Sequence, residues 1–277
     1  MRLFHQVDVF ADEFPYGNPV AVVHNADDLS TTDMAAIARW TNLAETTFLL
    51  TPTHPSADYR LRIFTISREL PFAGHATLGA ARAWLAAGNT PGRAGRIEQQ
   101  CGAGPVHIRS EADLLWFAAP PLLRDAPVTD YELRALAAGL RIEPEQITAA
   151  RWADNGPGWV VVLLASAEAV LAITPDYGRL SGFSAVGVVG PHPAGSEALF
   201  EVRAFTDEGT RWEEDPVTGS LNAAVAQWLI PAGGAPARYT ATQGAALQRR
   251  GRIHLSHHDG EIWVGGRTAL GITGQWH

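Results

Sequence analysis

The chain has 277 residues, 46% of them apolar and 18% charged, which is ample material for a core and a length that favours two domains over one. Lysine plus arginine number 21 and aspartate plus glutamate 29, so 21 − 29 gives a net charge of −8 with no basic cluster; the footprint that nucleic acid or an anionic membrane would need is missing. The single Cys101 excludes an intrachain disulfide and a zinc site of several thiolates, and no apolar run reaches membrane-spanning length.

From the N-terminus, alternation of apolar and polar residues predicts a first strand over Leu3 to Phe10; its interspersed charges are unlike a signal peptide, so a cytoplasmic protein is expected. Further strands are predicted at Val20 to His24, Thr46 to Leu50, Tyr59 to Phe64, Gly104 to Arg109 and Leu114 to Phe117. A helix over Thr32 to Trp40 follows Ser30 as its cap, and a second spans Gly74 to Ala87. The stretch Ala118-Ala119-Pro120-Pro121-Leu122-Leu123 closes a first domain at residues 1–123, with a second over 124–277 whose last strand can return to the first. The second half carries predicted helices at Asp130 to Gly139, Ala167 to Ile173 and Ser220 to Leu229. Its predicted strands are Trp159 to Leu164, Ala185 to Val189, Ala198 to Phe205, Tyr239 to Gln243, Arg252 to Ser256 and Glu261 to Arg267. Asp259-Gly260 supplies a tight hairpin turn between the last two.

Two stretches repeat one device. Glu69-Leu70-Pro71-Phe72-Ala73-Gly74-His75 and Glu214-Asp215-Pro216-Val217-Thr218-Gly219-Ser220 each run into an alanine-rich helix, and 214 − 69 gives an offset of 145 at which Glu, Pro, Gly and the later Ala81 and Ala226 coincide. Both helices are apolar nearly all round, which marks central buried helices; a mostly antiparallel sheet curled around one such helix, made twice, is the predicted α+β architecture. A helix start with free N–H groups attracts an anion, and if the halves face each other across a pseudo-twofold axis, both starts converge on one cleft and hold a carboxylate. Taken singly, each stretch is equally an ordinary loop leading into a helix.

Glu45 stands at a loop-to-strand junction among apolar neighbours, where desolvation would raise its pKa and suit it to proton transfer; the plain alternative is a solvated strand-end carboxylate. Asp215, beside Glu213 and Glu214 and before the second helix, is subject to like-charge crowding and to an opposing helix dipole. His75 holds the equivalent place in the first copy, where the dipole disfavours its charged form, either as a neutral hydrogen-bonding partner or as a cap. Ser220 either donates to a ligand or caps its helix, and Trp212 is a candidate pocket wall for a flat substrate. No phosphate-binding glycine loop or nucleophile elbow is present, and alternation separates His254 from His257 while His258 enters the turn, so no metal site is expected.

Asp8-Val9-Phe10, Gly17-Asn18-Pro19-Val20, Ala44-Glu45-Thr46-Thr47-Phe48, Arg62-Ile63-Phe64-Thr65 and the first helix start resemble the PhzF family of phenazine-biosynthesis isomerases. Asn155-Gly156-Pro157, the second helix start, Thr242-Gln243-Gly244 and Val264-Gly265-Gly266-Arg267 continue the resemblance in order along nearly the whole chain. It implies the diaminopimelate epimerase-like fold, a homodimer, and a proton moved from C3 to C1 of a substrate such as trans-2,3-dihydro-3-hydroxyanthranilate without metal or organic cofactor. By the same resemblance Glu45 is the general acid/base, His75 and Asp215 orient amino and hydroxyl groups, and Gly74, Gly219 and Ser220 hold the carboxylate; Asn18 and Trp212 complete the expected substrate-binding set. Related epimerases work with two cysteines, which one Cys101 cannot supply. Leu221 and Trp212 depart from the family pattern and are expected to reshape the pocket. An epimerase or racemase acting on another carboxylate, and a PhzF-like binding protein without catalysis, are the rival readings.

Overall fold

The computed structural model describes residues 1–207 and 211–276. The chain forms two compact units, Met1–Ala118 together with the C-terminal stretch from Trp263, and Ala119–Ile262.

In the first unit β1 (Arg2–Val9) pairs antiparallel with β2 (Asn18–Val23), and α1 (Thr31–Thr41) carries the chain over to β3 (Glu45–Leu50), parallel to β2. β4 (Tyr59–Phe64) turns back beside β3 and takes the short β5 (Glu69–Leu70) on its edge. α2 (Gly74–Ala86) then leads to β6 (Arg96–Cys101), parallel to β4, followed by β7 (Gly104–Glu111) and β8 (Leu114–Ala118) in antiparallel succession. Each parallel neighbour needs a crossover, which α1 and α2 provide. The C-terminal strand Glu261–Trp276 pairs with β8 and with β1, so the sheet closes on itself and leaves no free edge there.

α2 lies against β1, β2, β3, β4 and β8, and Gly74 through Ala81 are all buried. Small residues make this possible: a Cβ on Gly79 would stand 2.2 Å from Val20 Cγ1, well inside the ~3.5 Å of a carbon–carbon contact. On the opposite face of the sheet α1 sets Met34 and Ala38 on Val23, Phe48 and Phe64. Ser30 caps α1 in a capping box with Asp33, as its sequence pattern predicts.

The second unit repeats this order. β9 (Arg124–Pro127) and α3 (Asp130–Leu140) precede β10 (Ile147–Asp154), which pairs antiparallel with β11 (Trp159–Leu164); α4 (Ala167–Leu171) crosses to β12 (Ala185–Pro191), parallel to β11. β13 (Phe200–Asp207) returns antiparallel and carries β14 (Trp212–Asp215) on its edge. α5 (Gly219–Leu229) crosses to β15 (Arg238–Gln243), parallel to β13, and β16 (Gly251–His258) follows antiparallel. The parallel and antiparallel signs match those of β1 to β7 step for step, which is the duplication the offset of 145 foretold. α5 is buried over Leu221 to Ala226 and lies against β10, β11 and β16. A separate core forms on the other sheet face, where Leu136 and Leu140 of α3 and Val170 of α4 meet Val160, Val162, Val186, Val188 and Phe205.

The division falls at Ala118/Ala119, ahead of the Arg124 expected from the proline-rich stretch. β9 belongs with the second unit through its antiparallel pairing with β10. The C-terminal strand, now β17 (Glu261–Trp276), runs on past the expected Arg267 because β1 gives it a partner from Thr268 to Trp276. Asp259 and Gly260 turn between β16 and β17 with φ of 53° and 81°, the left-handed pair of a two-residue hairpin.

Candidate active site

In the first unit, β2 and β3 are parallel with Val20 opposite Glu45, so both side chains point to the same face. Val20 abuts Gly79 of α2, which makes that the helix-facing side; Glu45 and the fully buried Asn18, two residues before Val20, share it. At the start of α2, His75 completes the arrangement: its Nε2 lies 2.9 Å from Glu45 Oε2, with side-chain exposures of only 6% and 13%. The carboxylate lies off the axis of the ring N–H, so the two groups are close without being locked into an aligned hydrogen bond. A carboxylate and an imidazole so placed can exchange a proton with a third group that enters between them and solvent.

α2 begins at Ala73 with no side-chain cap, whereas Ser30, Thr129 and Ser166 each cap their own helices. Its first amides are therefore left for something other than a neighbouring side chain. The same is true of α5, whose N-cap Thr218 makes no capping bond. The Thr218 hydroxyl donates instead to Asp215 Oδ2 at 2.5 Å, and accepts from Gln243 Nε2 at 2.8 Å. Ser220 is likewise no cap: it lies inside the first turn of α5, and its Oγ accepts from the Trp159 indole N–H at 3.0 Å. Accepting from Trp159 leaves the Ser220 hydroxyl proton available to donate. Asn155 pins the Ser220 carbonyl at 2.9 Å.

Each unit thus gathers its own set, Asn18, Glu45, Gly74 and His75 in the first, Asp215, Gly219 and Ser220 in the second. Trp212 does not join the second set. β14 pairs with β13 so that Asp215 is opposite Ala204 and Glu214 opposite Phe205; Ala204 in turn lies opposite Gly187, which abuts Leu221 of α5, while Phe205 belongs to the core on the other face. Strand alternation therefore turns Asp215 toward α5 and sends Trp212 and Glu214 away from it. Trp212 stacks on Tyr177 with ring centroids 6.3 Å apart and 16° between planes, so it packs on the outer core instead of walling a pocket with Asp215.

The same alternation takes Glu214 out of the expected crowd of carboxylates. Glu214 takes a two-pronged contact from Arg203, Nε to Oε1 at 2.9 Å and Nη2 to Oε2 at 2.7 Å, while Arg203 Nη1 donates to the Ile173 carbonyl at 2.6 Å. Glu213 pairs with Arg211 at 3.0 Å. Leu221 also proves to be part of the wall: it is fully buried, and its Cδ1 stands 2.2 Å from where a Cβ on Gly187 would be. Its bulk fills the place of a missing side chain in β12 and is not spent on the helix start.

Thr218, Gln243 and Trp159 are the residues that reading by sequence left without a role, although Thr218 sits inside the second helix start and Gln243 within a quoted motif. Cys101, at the end of β6, donates to the Gly104 carbonyl at 3.4 Å, and burial pushes its thiol pKa up, away from the thiolate that an epimerase cysteine needs. A cavity of about 350 Å³ in the first unit is lined by Asp12, Arg82, Ser110, Asp113 and Arg267 among others, and includes neither Glu45 nor His75. Arg267 is already held there by Asp12 at 3.2 Å and Asp113 at 3.4 Å, which leaves the cavity without the acid/base pair.

Known proteins bear out the resemblance. Residues 7–275 match the family described as "Phenazine biosynthesis-like protein". The chain is 34% identical to "Antisense-enhancing sequence 1" of Schizosaccharomyces pombe, covering 98% of this chain and 97% of that one. It is 32% identical to the trans-2,3-dihydro-3-hydroxyanthranilate isomerase of Pseudomonas aeruginosa, over 98% of this chain and all of the relative, 100%. The crystal structure of a PhzF-family phenazine biosynthesis protein from Enterococcus faecalis superposes with a TM-score of 0.83 at 25% identity, covering 100% of this chain and 99% of that one. With a duplicated sheet-around-helix fold, a glutamate–histidine pair at one helix start and a serine and aspartate at the other, the chain belongs to the phenazine biosynthesis-like (PhzF) family and is an isomerase.

Proposed function

We propose that the enzyme moves a proton within a small cyclic carboxylate bearing amino or hydroxyl groups, of the kind represented by trans-2,3-dihydro-3-hydroxyanthranilate. The 2.9 Å approach of Glu45 to His75, both nearly buried, is the observation that carries this reading. Glu45 as carboxylate takes the proton from C3 of the ring; the electron pair shifts through the conjugated pair of double bonds, C4=C5 and C6=C1 becoming C3=C4 and C5=C6, and the same carboxyl group returns the proton at C1. The atoms balance without an added oxidant or reductant. His75 and Asp215 orient the substrate's amino and hydroxyl groups, and Asn18 lines the Glu45 side. The first amides of α2 and α5, from Gly74 and Gly219, together with the Ser220 hydroxyl, hold the carboxylate. Support for the Ser220 role comes from Trp159, which occupies its acceptor side. The reading takes the enzyme as a cytoplasmic homodimer, which sedimentation of the purified protein tests.

The deciding experiment follows trans-2,3-dihydro-3-hydroxyanthranilate by NMR with the purified protein. A shifted ring double bond is the expected result. Inversion at one stereocentre without double-bond movement would replace isomerisation by epimerisation, and an unchanged substrate would remove this compound class.

A further inference from the structure

Gln243 lies at the end of β15 with 2% of its surface exposed, and its side-chain amide is spent entirely on the entry and first turn of α5. Nε2 donates to the Asp215 carbonyl at 3.0 Å and to Thr218 Oγ1 at 2.8 Å. Oε1 accepts from the Thr218 amide at 3.0 Å and from Asn222 Nδ2 at 3.0 Å. Both donor hydrogens and both acceptor positions are used, so the amide has one orientation only. That orientation settles the next hydrogen as well: Thr218, having accepted from Gln243, turns its own proton to Asp215 Oδ2 at 2.5 Å. Gly244, with φ of 95°, lets the strand end approach the turn closely; a Cβ there would stand 2.6 Å from the Pro216 carbonyl oxygen.

Among the described residues of the first unit no side chain makes the equivalent lock. β6 pairs with β4 through Tyr59 and Gln99 as β15 pairs with β13 through Phe200 and Ala241, so the position equivalent to Gln243, two residues on, is Cys101. Its thiol reaches the Gly104 carbonyl and not the helix start. The duplicated fold therefore tolerates a small residue here, and the amide answers a need of the second unit alone.

We infer that Gln243 is a positioning residue for the reaction, acting through Thr218 to fix where the Asp215 carboxylate and the first amides of α5 point, an inference that rests on the roles proposed above for Asp215 and α5. Q243E keeps the volume and the accepting oxygen but removes both donated bonds, freeing the Thr218 proton to turn away from Asp215.

The test measures kcat and KM for trans-2,3-dihydro-3-hydroxyanthranilate in the wild type, Q243E, T218V, T218S and the double variant Q243E/T218V, with thermal midpoints recorded alongside. Q243E and T218V are each expected to lower kcat about 10- to 100-fold with KM changed less than about threefold, because orientation is lost while the anion site remains. T218S, which keeps the hydroxyl, is expected to retain activity, and the double variant to be no slower than the slower single one, since both act through one hydrogen. Wild-type kcat in Q243E, or losses that multiply in the double variant, would overturn the inference. If the wild type itself leaves the substrate unchanged, the proposed reaction fails, and Gln243 is then judged by amide hydrogen exchange in Q243L. Exchange at Thr218 at least about tenfold faster, with the β-strands unchanged, supports the lock; unchanged exchange at Thr218 overturns it.

Discussion

Replacing Leu221 by alanine separates a wall residue from a residue that shapes the substrate pocket. Leu221 is fully buried in α5, and its Cδ1, Cδ2 and Cγ lie 2.2, 2.8 and 3.1 Å from the place a Cβ on Gly187 would occupy. Truncation leaves a void under a buried helix packed on β10, β11 and β16, so the cost falls near the middle of the range for leucine to alanine, about 3 kcal/mol. G187A alone forces a methyl group into the leucine, at about 1–3 kcal/mol. In the L221A/G187A double variant the new methyl occupies part of the void. The combined cost should therefore fall short of the sum of the single costs by at least about 1 kcal/mol. Urea unfolding of the four proteins, read as midpoints with a common slope, measures all three differences. KM of L221A, taken where it is fully folded, should equal that of the wild type. Additive costs, or an altered KM, would show that Leu221 does not fill the space above Gly187.

Other consequences follow from named contacts. Burial and the adjacent His5 push the His24 pKa down from 6.5 to about 4, and burial lowers that of His5 too, the two rings meeting Nδ1 to Nε2 at 2.9 Å. Between those values the unfolded chain binds a proton that the folded chain refuses. Stability is therefore fully present above pH 6.5 and is lost as pH falls toward 4, by at most about 3 kcal/mol, and thermal midpoints of H24N should show a flatter acid limb than the wild type. Arg203 and Glu214 have side-chain exposures of 6% and 9%, so E214Q leaves a buried guanidinium short of its counter-charge and should cost about 3–5 kcal/mol, whereas the R203M/E214L double variant should recover much of that loss in the same unfolding assay. W212L removes the stack on Tyr177 and should lower the thermal midpoint while leaving kcat within about twofold of the wild type, a result that a pocket-wall role would not give.

The repeated helix start makes the architecture legible in the sequence. Carried further, the same offset finds what alternation missed: adding 145 to β1, Arg2–Val9, gives Ile147–Asp154, the bounds of β10. That strand carries no clear alternation, because its Ala149-Ala150-Arg151 stretch has no large apolar residue to mark a buried face. β6 escaped for another reason. Its inward residues are Ile97 and Gln99, and Gln99 satisfies its amide inside the sheet, accepting from Tyr59 and donating to Thr77, so a polar residue stands where the pattern demands an apolar one. Glu45 and His75 were legible as candidates, but their approach was not, since it depends on the parallel pairing of β2 with β3 and on the seating of α2 against Val20. Trp212 lies close to Asp215 in sequence, but three residues along β14 is the opposite face of the strand, where it stacks on Tyr177. The lock around Gln243 could not be read from spacing, because it joins side chains 25 residues apart, the separation of Thr218 from Gln243.

The direct test of the proton shuttle is to incubate trans-2,3-dihydro-3-hydroxyanthranilate in D2O with the wild type and with E45Q and to follow deuterium at the ring carbons by NMR. Isomerised product with the wild type, carrying deuterium at C1 to the extent that the Glu45 carboxyl exchanges with solvent before it returns the proton, and no isomerised product with a folded E45Q, is the expected result. Isomerisation by E45Q at a rate within about tenfold of the wild type would remove Glu45 from the reaction.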